Sequence, residues 1–178
     1  RFGALRNLDV VALDGLDIDI GPGEAVGLIG PNASGKTTLL RVIAGVTAPD
    51  RGVVRVPGRT ISLLELGSGF HADLTGRENL RVLGRLMGIA PRLLEPQVDE
   101  AIEFSGLGAV IDHRLKTYST GMTARIGMSM ALVCPADLIL IDEVLAVGDE
   151  EFRRAAIDRI ARRVDAGASV VFVSHDLA

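Results

Sequence analysis

Eight consecutive residues, Gly30-Pro31-Asn32-Ala33-Ser34-Gly35-Lys36-Thr37, carry the densest chemistry in this chain. Two glycines bracket a tetrapeptide, and a lysine and a hydroxyl follow at once. Glycine lets successive backbone N–H groups converge on one point, which suits the oxygens of a phosphate. A helix opening there adds the positive end of its dipole. In such a loop Lys36 reaches the β- and γ-phosphates, the Thr37 hydroxyl ligates Mg2+, and Thr38 continues the helix start. The alternative is a glycine-rich turn with a chance Lys-Thr. Of the 19 Lys and Arg residues only Lys36 and Lys116 are lysines, so Lys36 is not a by-product of a lysine-rich surface. Proteins that read guanine commonly use an Asn-Lys-x-Asp loop. None of Asn7, Asn32 and Asn79 is followed by lysine, so ATP is the expected nucleotide.

A second group is Asp142-Glu143, at the end of the apolar run "LILI". In a parallel sheet that end lies beside the phosphate loop. Asp142 suits Mg2+, directly or through water, and Glu143 suits the role of general base toward an attacking water. Taken without the loop, the pair also reads as two solvated acids at a strand end. His175 follows the run "SVVFVS" and suits a γ-phosphate or the attacking water, although a lone histidine there also reads as a polar loop residue. His71 and His113 take that plainer reading. A third feature, "YSTGM", places Ser119-Thr120-Gly121 at the head of an apolar-rich helix. Either Ser119 or Thr120 simply caps that helix, or the helix start binds an anion.

The elements that position these residues follow from periodicity. Alternation through Leu16, Ile18 and Ile20 predicts a strand, Gly21-Pro22-Gly23 a turn, and Ala25–Ile29 an apolar strand feeding the loop. A helix follows, with Leu39, Leu40, Ile43 and Ala44 on one face. Short strands are expected around residues 53–56 and 61–64. Thr75 with Glu78 forms a capping box before a helix that shares Leu80, Leu83 and Met87 on one face. A further helix is expected over about 96–104, a strand at Leu138–Ile141, and a helix in which Phe152, Ala156, Ile160 and Val164 recur every fourth residue. Alternating strands and helices predict an α/β fold with a mainly parallel sheet.

Composition sets the outer bounds. The 178 residues suit about one domain, and 48% hydrophobic with 24% charged residues is an ordinary globular mixture. A net charge of −4 gives no general field for nucleic acid. The single cysteine, Cys134, sits in the apolar run "ALVC" and reads as a small buried side chain. No leader pattern and no apolar run near the ~20 residues of a membrane span occur. A cytosolic domain is therefore expected, with any membrane role supplied by a partner.

The order of these motifs resembles the ATP-binding cassette (ABC) ATPases over nearly the whole chain: phosphate loop, helical insert, signature, strand ending in Asp-Glu, D-loop and switch histidine. The family signature is usually LSGGQ, and "YSTGM" stands in its slot, 23 residues ahead of Asp142 counted from Ser119. The resemblance implies a P-loop NTPase fold in a single nucleotide-binding domain. Residues 1–68 and 132–178 would form the core with an N-terminal antiparallel β subdomain, and about 69–131 an inserted helical subdomain. It implies that Ser119, Thr120, Gly121 and Met122 contact the γ-phosphate of ATP held by a second copy. Asp149 in "AVGD" is then the D-loop aspartate, a helix N-cap, or both. Glu65 stands about where a glutamine normally senses the metal and the permease. Thr120 and Met122 replace the usual Gly and Gln, and Val144 follows Asp-Glu in place of Pro.

Together "LLELGSGF", "YSTGM" and "DEVLAVGD" are similar to the ATPases that export O-antigen, teichoic acid or related lipid-linked glycans. That likeness implies ATP and Mg2+ as cofactors, a homodimer sandwiching ATP, and a polysaccharide-export permease docked near residues 65–70 and the helix after Thr75. It places the chain peripherally on the cytoplasmic face of the membrane, with no nucleic-acid partner. Phe2 is the candidate adenine stacker within the chain, and the family normally extends beyond the final "SHDLA", so a fragment of a longer protein is expected. Two other classes compete. A soluble ABC ATPase of the genome-maintenance kind would place a long coiled coil in the roughly 80 residues between loop and signature, and no sustained heptads occur there. A P-loop kinase would not explain "YSTGM", Asp149 and His175 together.

Overall fold

The computed structural model describes residues 11–64, 69–142 and 148–174. Among these, β1 (Ala25–Ile29), β2 (Thr60–Ser62), β3 (Leu138–Ile141) and β4 (Ser169–Ser174) form one sheet in the order β1-β4-β3-β2. Every pairing is parallel, with Ala25 opposite Val170, Leu138 opposite Ser169 and Thr60 opposite Leu138. Five helices accompany it: α1 (Lys36–Ile43), α2 (Gly76–Leu86), α3 (Pro91–Ser105), α4 (Thr120–Val133) and α5 (Glu150–Asp165).

At β3 the sheet is covered on both faces, which is why this strand reads as the unbroken run "LILI" and is buried throughout, whereas β1 at the edge alternates exposed and half-buried residues. Leu138 and Leu140 turn to one side, where they meet Val171, Val173 and Leu40 of α1. Ile139 and Ile141 turn to the other, toward a larger core that includes Leu80 of α2, Val98 of α3, Met128 of α4 and Phe152 of α5. Thus α1 lies on one face of the sheet, and α4 with α2, α3 and α5 on the other.

Helix α2 begins where the sequence predicts. The Thr75 N–H donates to Glu78 Oε2 at 2.8 Å, and the Glu78 N–H donates to Thr75 Oγ1 at 3.2 Å, completing the capping box. The segment before α2 is stitched to the segment before α4. The Leu115 N–H donates to the Leu74 carbonyl at 2.8 Å, the Lys116 N–H to Ala72 at 2.9 Å, and the Gly76 N–H to His113 at 3.2 Å. Tyr118 seals this joint: its hydroxyl donates to the Val110 carbonyl at 2.6 Å.

Two expectations are corrected. Helix α3 starts at Pro91, not near Pro96. Pro91 occupies the first helical position, where a missing N–H costs nothing. Pro96 lies inside the helix, and the carbonyl it leaves without a donor belongs to exposed Arg92, within reach of water. The antiparallel β subdomain is not formed among the described residues: segments 16–20 and 53–56 carry no ladder. Alternation alone marks a strand only when a neighbouring edge accepts it, and a short isolated pair is marginal in water. Leu16, Ile18 and Val53 stay exposed, while Ile20 and Val56 pack against the Leu40 cluster.

Cys134 is fully buried, with its Sγ 3.6 Å from Met87 Sδ, and burial pushes its thiol up to about 11. The thiolate is the reactive form. In neutral buffer the native chain is therefore expected to resist a thiol-specific reagent and to react fully only after denaturation. Rapid labelling of the native chain would contradict this placement.

Candidate functional site

Strand β1 delivers the chain into the loop from Gly30 to Thr37, and α1 begins at Lys36. The loop is tightly bent. Ala33 takes a φ of 61° and Gly35 a φ of 90°. A left-handed alanine is unfavourable by about 1 kcal/mol, a local strain of the kind that gathers at binding loops. Gly35 cannot be replaced cheaply, because a Cβ there would stand 2.6 Å from the Ala12 carbonyl oxygen in addition to the positive φ. Lys36 folds back over the loop, its Nζ donating to the carbonyls of Gly30 at 2.7 Å and Pro31 at 2.8 Å. The ammonium is therefore held above the turn at the helix start.

The start of α1 differs from those of α2 and α5. Both of those carry a side-chain cap and acidic residues in the first turn, whereas α1 has neither. Its opening N–H groups and Lys36 thus face an approaching anion without a carboxylate in the first turn. Thr37 and Thr38 sit in this first turn, Thr37 exposed.

Asp142 follows β3 directly and is half-buried. Strands β1, β4 and β3 are adjacent and parallel, so Ile29, Ser174 and Ile141 end at the same edge of the sheet. With strands about 5 Å apart, β1 and β3 lie roughly 10 Å from each other there. That edge gathers the phosphate loop and Asp142, as expected. Among the described residues no group of three or more His, Cys, Asp or Glu could hold a metal alone. A Mg2+ would fit here only as part of a nucleotide complex, with Thr37 and Asp142 as hard oxygen donors and phosphate oxygens completing the shell. Glu143, His175, Glu65 and Phe2 lie outside the described residues.

Of the two readings of "YSTGM", the capping one is met by Ser119. It is the N-cap of α4, its Oγ accepting from the Met122 N–H at 3.2 Å. The turn after it stays open: a Cβ on Gly121 would meet only Ser119 Oγ, at 3.9 Å. Nothing among the described residues requires glycine at that position. Because α1 and α4 cover opposite faces of the sheet, the two helix starts are presented from different sides.

Asp149 is likewise a cap. Its Oδ1 accepts from the Phe152 N–H at 2.9 Å, opening α5. Its Oδ2 pairs with Arg125 Nη1 at 2.6 Å. The Phe152 N–H, foremost, and the Arg125 charge hold this carboxyl below its ordinary range. Arg125, on α4, was not singled out by the sequence reading. Its one visible signal is a guanidinium inside the apolar helix "TARIGMSMALV". His71 and His113 are exposed loop residues, in keeping with their plainer reading.

The ABC transporter family profile matches residues 13–146. The chain is 41% identical over 177 residues to the O-antigen export system ATP-binding protein RfbB of Klebsiella pneumoniae, covering 99% of this chain and 72% of that protein. It is 39% identical to the teichoic acids export ATP-binding protein TagH of Enterococcus faecalis, covering 93% of this chain and 37% of that one. The fold is similar to a dimeric post-hydrolysis state of the ATP-binding cassette MJ0796 bound to ADP and Pi, with a TM-score of 0.78 at 21% identity, covering 93% of this chain and 81% of that one. A second likeness, to an ATP-binding subunit of an ABC transporter, has a TM-score of 0.78 at 24% identity, covering 88% of this chain and 70% of that one.

Proposed function

Since the chain belongs to the ABC transporter family of ATP-binding proteins, we propose that it is the ATP-hydrolysing subunit of a transporter that exports a cell-surface polysaccharide or lipid-linked glycan. It acts as a homodimer on the cytoplasmic face of the membrane, bound to a permease at residues 65–70 and the helix after Thr75. The observation that carries the shared site is the placement of α1 and α4 on opposite faces of the sheet. A phosphate held at Lys36 and an anion-receptive helix start at Ser119 then come together between two copies. The whole chain works as one nucleotide-binding domain, with about 69–131 as its helical lobe.

In this reading the loop from Gly30 to Thr38 binds the triphosphate of ATP, and Lys36 leaves the carbonyls of Gly30 and Pro31 for the β- and γ-phosphates. A bound Mg2+, held by Thr37 and Asp142, supplies charge stabilisation across those phosphates. Glu143 takes a proton from the attacking water, while His175 orients that water or the γ-phosphate. Glu65 links the metal region to the permease contact. From the partner copy, Ser119, Thr120, Gly121 and Met122 cover the γ-phosphate, and Asp149 crosses the interface beside them. Closure follows from tighter binding of ATP by the paired state, and hydrolysis releases it.

The test is the full-length Glu143→Gln variant. Turnover is expected to fall by roughly a hundred- to ten-thousandfold, the usual contribution of a general base, with ATP affinity retained. Sedimentation should show a dimer only with Mg-ATP. A persistent monomer that binds ATP and phosphorylates a small acceptor would replace this reading with that of a kinase.

A further inference from the structure

The guanidinium of Arg125 lies where three helices meet. Its Nε donates to the Ser105 carbonyl at 3.1 Å, in the last turn of α3. Its Nη1 donates to Asp149 Oδ2 at 2.6 Å, at the start of α5. Its Cζ sits 4.8 Å from the centroid of the Phe152 ring. Phe152 in turn packs on Phe104 of α3 with centroids 5.5 Å apart and the rings tilted by 56°, and Arg159 of α5 lies over the Phe104 ring at 5.6 Å. Arg159 is itself paired with Glu100 of α3. A chain of contacts, cation to ring to tilted ring to cation, therefore joins α4, α5 and α3.

Capping alone does not account for this arrangement. Asp149 caps α5 through Oδ1, a task for which Asn or Ser is about as good. The second oxygen, Oδ2, is committed to Arg125, so contacts at both oxygens fix the plane of the carboxylate. Arg125 stands six residues after Ser119 on the same helix, about 9 Å along its axis. The fork-shaped guanidinium spans the Ser105 carbonyl and the carboxylate at once, which a lysine ammonium on its single stem does less well.

We infer that Arg125 is a positioning residue that locks the start of α4 and the Asp149 turn into one rigid unit, so that both reach the partner copy's nucleotide together. Arg125 touches no nucleotide itself, and the inference rests on the shared-site reading above. When the clamp is broken, Ser119 and Asp149 approach the partner independently. The cost appears in pairing, while ATP binding at Lys36 is left alone.

The experiment measures the Mg-ATP-dependent dimer dissociation constant of the full-length protein in the Glu143→Gln background. Arg125→Gln is expected to weaken pairing by about tenfold with monomer affinity for ATP unchanged, and Arg125→Lys to restore part of it. Asp149→Asn keeps the cap and removes the ion pair. In that background Arg125→Gln should change pairing by less than about twofold, since their shared contact is already gone. If Arg125→Gln does not fold, Arg125→Lys completes the same cycle with Asp149→Asn. Unchanged pairing in the Arg125 variants, or effects that simply add across the cycle, would overturn the clamp while leaving the shared site intact. A Glu143→Gln parent that never pairs would remove the shared-site reading, and the clamp with it.

Discussion

Gly121→Glu is expected to abolish ATP-dependent pairing and turnover while making the isolated chain more stable. The two signs come from different surroundings. Within the chain, the second position of α4 has open space around it, and its first turn carries no acidic residue. Glutamate is a better helix former than glycine, and its charge suits a helix N-terminus, so a gain of about 1 kcal/mol is expected. For a chain of this size that raises the melting temperature by roughly 2–4 °C. Between two copies the same side chain would point its carboxylate at the partner's γ-phosphate, where like charge and bulk both oppose closure. Thermal unfolding and sedimentation with Mg-ATP, on one preparation, read both effects. A variant that pairs and hydrolyses normally would refute the contact between "YSTGM" and the partner's nucleotide.

Lys36→Ala is expected to weaken Mg-ATP binding by about a hundredfold, the usual scale for a charge-assisted phosphate contact. The fold should tolerate the change. Lys36 is half-buried, and among the described residues its ammonium bonds to the carbonyls of half-buried Gly30 and exposed Pro31. Titration calorimetry with the full-length protein tests this directly. Affinity equal to that of the unaltered chain would undo the phosphate-loop assignment, and a collapse in melting temperature would reassign Lys36 to holding the loop together.

Much of the architecture was legible because its causes are local. Thr75 and Glu78 can satisfy each other's backbone only at a helix start, and so α2 was readable from two residues. The run "LILI" needs apolar cover on both sides, which marked β3 as interior. Pro96 misled because a proline is expected at a helix start, and Pro91 already held that place. The alternation near Leu16 and Val53 was real, but a strand also needs an edge to pair with, and one segment's sequence does not contain its neighbour. In the candidate site, Lys36, Thr37 and Asp142 were proposed by motif, and the strands that lead to them end at one sheet edge. Arg125 was missed because its partners Ser105 and Asp149 lie 20 and 24 residues away, and only the packing of three helices brings them within reach.

The strand order also sets a timetable. Among the described residues the only ladder partner of β1 is β4, and their register joins Ala25 to Val170. At ordinary rates of protein synthesis, the interval between making those two residues is on the order of ten seconds. Until β4 emerges and slides in between β1 and β3, the loop carrying Lys36 hangs from a strand that lacks its ladder partner among the described residues. The nascent chain thus completes its nucleotide loop early and gains the strand that frames it only near the end. A ribosome-bound intermediate that has already built the α2–α3–α4 lobe from near neighbours would still be unable to hold ATP.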